Sequence, residues 1–197
     1  DIFGNKLIKY KIKTLSSPNK HDKYISKKNK KRINGPWILR FDNFISKKEA
    51  QQIINVAGTF ERSTDVGKRD NTGHFEKVVS KSRTSKNSWC QNKCWEDPTV
   101  QTVMNRISKL LGINVNNTET FQILKYDINE YYKQHHDFIQ PQTKMSCGPR
   151  ILTFFLYLSD VEDGGETSFP LIKIKNKPKL GRAILWPSVL DSNPLKM

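Results

Sequence analysis

Apolar residues keep helical spacing up to Leu111 and abandon it from Glu119 onward. That switch limits the chain to folds in which helices come first and a run of strands follows. Upstream, Ser46 with Glu49 three residues on has the capping-box pattern. Ala50, Ile53, Ile54 and Ala57 then recur at helical spacing, and Gly58 ends the run. A second helix is predicted over residues 98–111, with Val100, Val103, Met104, Ile107, Leu110 and Leu111 on one face and Gly112 closing it. Downstream, residues 120–126, 151–158 and 182–186 are short β-rich runs separated by turns. Residues 37–41 make one further strand ahead of both helices, and the polar stretch 61–88, with Gly67 and Gly73, reads as a long loop holding at most short strands. The sum is an α+β domain, with helices packed on an antiparallel sheet or barrel.

Charge is concentrated at one end. Of the formal net charge of +15, +9 falls in residues 1–34, where ten Lys and Arg32 face only Asp1 and Asp22. This segment has no sustained apolar periodicity and reads as a basic, disordered arm that ends at Gly35-Pro36. Such a field attracts polyanions: nucleic acid, an anionic membrane or an acidic protein. The plainer reading is a solvated Lys/Asn-rich tail. No stretch reaches the run of roughly 18 apolar residues that crosses a bilayer, and the chain opens on Asp1, so a leader or anchor ahead of it stays open.

Three cysteines are too few for a disulfide scaffold. Cys90 and Cys94, in Ser-Trp-Cys-Gln-Asn-Lys-Cys-Trp, are close enough to pair across a turn, which would imply an oxidising compartment. Two free thiols are the alternative; zinc would want a second Cys/His pair at its usual spacing. Asn116-Asn117-Thr118 is a glycosylation sequon.

Chemistry gathers around Tyr126-Asp-Ile-Asn-Glu-Tyr-Tyr-Lys-Gln-His135-His136-Asp137-Phe138. On an extended strand alternate side chains share a face, so His135 and Asp137 are expected to point one way and His136 the other. An imidazole and a carboxylate on one face can take two neighbouring sites of an octahedral metal. A second, distant His would complete the two-His-one-carboxylate triad of non-haem Fe(II) oxygenases. By itself a His-x-Asp triplet is common. Here it is followed by Arg150-Ile-Leu-Thr-Phe-Phe-Leu-Tyr-Leu-Ser-Asp-Val-Glu-Asp-Gly-Gly-Glu-Thr-Ser-Phe-Pro170 and by Lys179-Leu-Gly-Arg-Ala-Ile-Leu-Trp186.

In that order the motifs resemble the prolyl 4-hydroxylase branch of the Fe(II)- and 2-oxoglutarate-dependent dioxygenases, over roughly residues 36–190 and most closely over 119–186. The resemblance implies a double-stranded β-helix (jelly-roll) core buttressed by the N-terminal helices. It implies hydroxylation of peptidyl proline at the 4-position, coupled to oxidative decarboxylation of 2-oxoglutarate, with ascorbate maintaining the iron. Carried over residue by residue, it makes His135 and Asp137 iron ligands, and Tyr126 and Thr167 hydroxyl donors to the distal carboxylate of 2-oxoglutarate. A proline-containing peptide would meet Tyr132, Arg150 and Arg83, with Glu119 in support. Arg83 lies in Ser-Arg-Thr-Ser, which resembles the family's mobile substrate-covering loop. The plainer readings are an ion-paired Arg150, a packed Tyr132, a core Trp186 and a turn at Gly164-Gly165. The endoplasmic reticulum is the compartment the resemblance favours, with the cytoplasm as alternative.

The pattern departs from the family twice. Ser-Trp-Cys-Gln-Asn-Lys-Cys-Trp-Glu-Asp-Pro replaces the usual small-residue continuation after Ser-Arg-Thr-Ser. The distal His and the Lys that would meet the 2-oxoglutarate carboxylate are also missing: His21 and His74 precede the strands, and the sequence stops at Met197. Residues 35–197 are therefore expected to be a catalytic domain that is incomplete at its C-terminal end. Two other readings remain: the same chemistry on a lysyl or free amino-acid side chain, and a cupin-like module that binds without catalysis.

Overall fold

The computed structural model describes residues 10–17, 36–69, 75–79, 81–144 and 148–189. In chain order the regular elements are β1 (Lys11–Ser16), β2 (Ile38–Asp42), α1 (Lys47–Asn55), β3 (Glu61–Arg62), β4 (Asp65–Arg69), β5 (Phe75–Val78), β6 (Lys86–Trp89), α2 (Lys93–Glu96), α3 (Pro98–Leu111), β7 (Gln122–Lys125), β8 (Leu152–Leu156), β9 (Thr167–Phe169), β10 (Ile174–Asn176) and β11 (Ala183–Pro187). They fall into two compact units, one made of Asp1–Ala50 with Asp137–Met197 and the other of Gln51–His136. Helices and antiparallel strands together make the fold α+β, as predicted, but six strands precede α3, so the helices do not come first. No helix among the described residues is long and apolar enough to cross a membrane.

The first unit is built on a four-stranded antiparallel sheet in the order β1-β2-β11-β8. Ile38, Leu39, Phe41, Ala183, Ile184 and Leu185 are all buried, so the two central strands carry apolar side chains on nearly every position. Phe154 of β8 packs 4.9 Å from the fully buried Phe44 and 5.8 Å from Phe41, ring centre to ring centre. Gly181 closes the entry to β11. Its φ is +78°, and its carbonyl accepts from the backbone N–H groups of both Phe44 and Ile45. A Cβ there would collide with the Ile45 carbonyl oxygen, so only glycine fits. β9 and β10 form a separate two-stranded ribbon, entered through Gly164 and Gly165 at φ +75° and +66°, the turn expected of that pair.

The arm is corrected in part by this sheet. Lys11–Ser16 is a strand hydrogen-bonded to β2, from Lys11 opposite Asp42 to Ser16 opposite Ile38. Ser16 is fully buried and donates to the Pro36 carbonyl at 2.6 Å, and Tyr10 packs its ring 5.0 Å from Phe44. Lys11, Lys13 and Thr14 face solvent while Ile12 and Leu15 are half-buried, and this weak alternation is too short and too polar to stand out as a strand. The rest of the arm, residues 1–9 and 18–34, lies outside the described residues, as do His21 and His74.

In the second unit α3 is the long element, and it matches the predicted boundaries. Val100, Val103, Met104, Ile107 and Leu111 are buried along one face, and Gly112 at φ +68° is the left-handed cap. Its first turn is capped by Asp97, whose carboxylate accepts from the N–H groups of Thr99 and Val100 and also from Gln52 Nε2 at 2.8 Å. The Gln52 amide, first among the causes, and the two backbone donors hold that carboxyl below its ordinary range. The Ser46–Glu49 capping box at the start of α1 forms as predicted: Glu49 Oε2 accepts from Ser46 N at 2.7 Å, and Ser46 Oγ accepts from Glu49 N at 3.2 Å. α1 ends at Asn55, before Ala57, and Ile54 is 38% exposed, so the apolar face is narrower than the spacing implied.

The polar stretch 61–88 is not one loop: β3 joins the sheet β3-β6-β7, and β4 and β5 pair as a hairpin. Cys90 and Cys94, both buried, are joined by a disulfide that ties the end of β6 to α2.

Candidate functional site

The segment expected to be an extended strand around His135 is irregular. Between Tyr131 and Phe138 the only pairing among the described residues is the isolated bridge of Tyr132 with Arg83, so strand parity does not orient His135, His136 and Asp137. Local contacts take its place. The His135 Nδ1 lies 2.7 Å from the Lys133 carbonyl oxygen, close enough for Nδ1–H to donate to it. In that tautomer Nε2 carries the lone pair that a divalent metal takes. The imidazole is stacked on Tyr132 at 3.5 Å, with 12° between the ring planes. On the same phenol ring sits the Arg83 guanidinium, 4.6 Å from its centre.

Arg83 is 7% exposed, and its Nε has no hydrogen-bond partner among the described residues. Its neighbours are stitched to the strand-like segment opposite: Lys133 N donates to the Ser82 carbonyl at 2.8 Å, Thr84 N to the Tyr131 carbonyl at 2.8 Å, and Tyr131 N to Thr84 Oγ1 at 2.7 Å. Ser85 is buried and donates to Ser63 Oγ at 3.0 Å. Tyr126, just past β7, is 42% exposed. Burial nevertheless pushes its phenol above the ordinary value, a hydrogen bond with Ser85 and the charge of Arg83 opposing. The phenol is therefore a proton donor throughout the physiological range. Glu119 is exposed ahead of β7.

In the first unit, Asp137 is half-buried and its Oδ2 accepts from Thr153 Oγ1 of β8 at 2.6 Å. Thr153 was visible within the motif, yet nothing in the sequence says which acceptor its hydroxyl would find. The bond orients the carboxylate in the manner of outer-sphere partners of metal ligands. Arg150 is half-buried immediately before β8. Thr167 opens β9, and its Oγ1 accepts from the Tyr157 hydroxyl at 2.7 Å. Trp186 packs edge-on against Phe169 at 5.3 Å, a packing role as expected.

Among the described residues no three His, Cys, Asp or Glu side chains gather at one point. His135 belongs to one compact unit and Asp137 to the other. Each nonetheless has a local partner, the imidazole at Nδ1 and the carboxylate at Oδ2. Ferrous iron in non-haem oxygenases takes two imidazoles and one carboxylate, so these two side chains would supply one donor of each kind.

A family model of the 2OG-Fe(II) oxygenase superfamily matches residues 121–193, which include every residue discussed above except those before β7. Over those residues the chain is similar to the 2OG-Fe(II) oxygenases. Within that class its relatives are prolyl 4-hydroxylases. It is 32% identical over 162 residues to prolyl 4-hydroxylase subunit alpha-1 of Mus musculus, covering 80% of this chain and 29% of that protein. It is 33% identical over 175 residues to the probable prolyl 4-hydroxylase 10 of Arabidopsis thaliana, covering 78% of this chain and 58% of that one. Among solved structures it is similar to the viral collagen prolyl hydroxylase of Paramecium Bursaria Chlorella virus-1 in its 2OG complex, with a TM-score of 0.57, 26% identity, and 81% and 82% of the two chains covered. The chain thus spans less than a third of the length of the alpha-1 subunit. None of these relatives supports a polyanion contact through the basic arm.

Proposed function

We propose that this chain is the catalytic portion of a prolyl 4-hydroxylase, acting on proline in a peptide or protein with 2-oxoglutarate as co-substrate. One observation carries the reading: His135 and Asp137, the two metal-ligand positions of the motif, are each held by a hydrogen bond of the kind that prepares a ligand. Bound iron and 2-oxoglutarate would supply the oxidising chemistry, decarboxylating the co-substrate and hydroxylating a C–H bond. The protein's part is to bind, orient and exclude water. His135 offers Nε2 and Asp137 a carboxylate oxygen to the metal. Tyr126 and Thr167 offer hydroxyls to the distal carboxylate of 2-oxoglutarate, which needs donors once it leaves water. Tyr132, Arg150, Arg83 and Glu119 are the residues proposed for the peptide, and ascorbate the reductant.

In this reading the sheet β1-β2-β11-β8 is one wall of a double-stranded β-helix, and residues 36–189 contribute to one catalytic domain. The Ser-Arg-Thr-Ser segment around Arg83 is the proposed substrate cover. The Cys90–Cys94 disulfide favours an oxidising compartment such as the endoplasmic reticulum.

The test is succinate release from 2-oxoglutarate with Fe(II) and ascorbate, comparing a proline-rich peptide with the same peptide lacking proline. Turnover that depends on proline supports the reading. Equal turnover with both peptides moves the substrate to another side chain, and binding without turnover makes the chain a binding module. Tyr126→Phe and Thr167→Val should each raise the KM for 2-oxoglutarate about tenfold, as expected for a hydrogen bond to a charged group, with less effect on the KM for peptide.

A further inference from the structure

Thr167 and Asn176 are register partners across the β9–β10 ribbon, and the Tyr157 hydroxyl lies between their side chains. Tyr157 is 6% exposed and Asn176 2%. The Tyr157 backbone is anchored on both sides, its N–H donating to the Arg182 carbonyl at 2.9 Å and its carbonyl accepting from Gly181 N at 3.0 Å. Asn176 Nδ2 donates to the Tyr157 oxygen at 3.0 Å, and the Tyr157 hydroxyl donates to Thr167 Oγ1 at 2.7 Å. Among the described residues the other acceptor near that hydroxyl is the Asn176 carbonyl at 3.4 Å, a far poorer partner.

We propose that Tyr157 and Asn176 are positioning residues that make the Thr167 hydroxyl a committed donor to an anionic ligand, the distal carboxylate of 2-oxoglutarate. This rests on the role given to Thr167 above. A hydroxyl has one proton and two lone pairs. With one lone pair of Thr167 occupied by the Tyr157 proton, the Thr167 proton is left for another acceptor. The Asn176 amide takes one lone pair of the Tyr157 oxygen, and the phenol gives its proton to Thr167 Oγ1 at 2.7 Å. Each donated bond also polarises the next, so a threonine at the end of such a chain is a better donor than an isolated one.

Two further observations agree. Asn176 Oδ1 is buried with no hydrogen-bond partner among the described residues. The fold keeps that unmet acceptor in a place where the amide's other end has work to do. Burial, first among the causes, pushes the Tyr157 phenol up despite its bonds to Thr167 and Asn176. The phenol is thus protonated wherever a carboxylate ligand is ionised.

The test is a double-mutant cycle read by calorimetric titration of 2-oxoglutarate into the Mn(II)-supplemented full chain, which needs no turnover, together with KM values for co-substrate and peptide. Tyr157→Phe should weaken 2-oxoglutarate binding about 3- to 10-fold, on the scale of part of a charge-assisted hydrogen bond, and leave the KM for peptide within about twofold. In a Thr167→Val background, Tyr157→Phe should add nothing. In a Thr167→Ser background its effect should return, because serine restores the hydroxyl.

Tyr157→Phe strands the Asn176 amide, so Tyr157→Phe with Asn176→Leu is measured as well. Replacing both partners by apolar groups of similar shape is close to neutral for folding, and the double change should weaken 2-oxoglutarate to the same extent. An equal loss from Tyr157→Phe in the wild-type and Thr167→Val backgrounds overturns the relay, as does unchanged affinity in both Tyr157 variants. No effect of Thr167→Val itself, or no binding by the unaltered chain, is a different result. It removes the co-substrate role of Thr167 on which the relay rests.

Discussion

The phenol of Tyr132 lies flat against the imidazole of His135, 3.5 Å between centres, and it is covered on the same ring system by the guanidinium of Arg83. This stack restricts the rotation of a ring that the Lys133 carbonyl holds at Nδ1. Tyr132→Leu should therefore weaken Mn(II) binding about 2- to 10-fold, the value of an aromatic contact of 0.5–1.5 kcal/mol, while Tyr132→Phe stays near wild type. Titration of the metal in the absence of peptide separates this from a peptide contact. Weakened peptide affinity in Tyr132→Phe with unchanged metal affinity would assign the phenol hydroxyl to the substrate.

Thr153 holds the carboxylate of Asp137. Thr153→Val keeps the shape and removes the donor, and metal affinity is expected to fall by about 10-fold or more, as for other outer-sphere partners. Thr153→Ser should recover most of the loss. Equal affinity in all three proteins would show that the bond has no part in metal binding.

His135→Ala and Asp137→Ala should each abolish 2-oxoglutarate turnover, and His136→Ala should largely spare it. The ground for sparing His136 is now the bond that prepares its neighbour, since the strand on which alternation was to separate them does not form. Comparable losses in all three variants would refute the choice of His135.

Asp42 gives a pH dependence of stability. Burial alone would raise its carboxyl, but the hydrogen bond and charge of Arg182, at 2.7 Å, and those of Arg40, at 2.9 Å, outweigh it and hold the group below its ordinary 3.8. A folded-state pKa below the unfolded one stabilises above the unfolded value, and the gain fades as pH falls through the folded value. Asp42→Asn should cost about 2 kcal/mol near pH 7, in the range of a charge-assisted bond. The gap to wild type in urea unfolding should narrow below about pH 4. A gap that is constant from pH 7 to pH 3 would count against the ion pair.

Removing residues 1–17 should lower the thermal midpoint by several degrees, because it strips β1 from the edge of β2 and uncovers Phe44. A loss of 1–2 kcal/mol corresponds to roughly 2–8 °C for a domain of this size. An unchanged midpoint would mean that the strand adds no net stability.

Helix α3 and the capping box of α1 were legible because both depend on near neighbours: apolar residues at 3.6 spacing, and a serine three residues from a glutamate. The order of the motif along the chain was legible too, and on it rests the proposal of His135 and Asp137 as metal ligands. What lay hidden was decided by partners far away in sequence. Lys11–Ser16 is a strand only because β2 offers it an edge. The acceptor for Thr153 is sixteen residues distant, and the Tyr157–Asn176 bond spans nineteen. The segment around His135 failed as a strand because its backbone bonds go to Ser82 and Thr84 about a single bridge, not to a continuous ladder.

The central pair of the main sheet has a consequence for synthesis. β2 is made early, while β11, its hydrogen-bonded neighbour, follows about 140 residues later, the separation spanned by the Asp42–Arg182 bond. At 5–20 residues per second the ribosome leaves that edge waiting for roughly 7 to 28 seconds. Loop closure over such a distance is also slow for an isolated chain. For that interval Ile38, Leu39 and Phe41 lie on a strand whose β11 edge is unmet, so the central pair of the sheet can close only once β11 has been made.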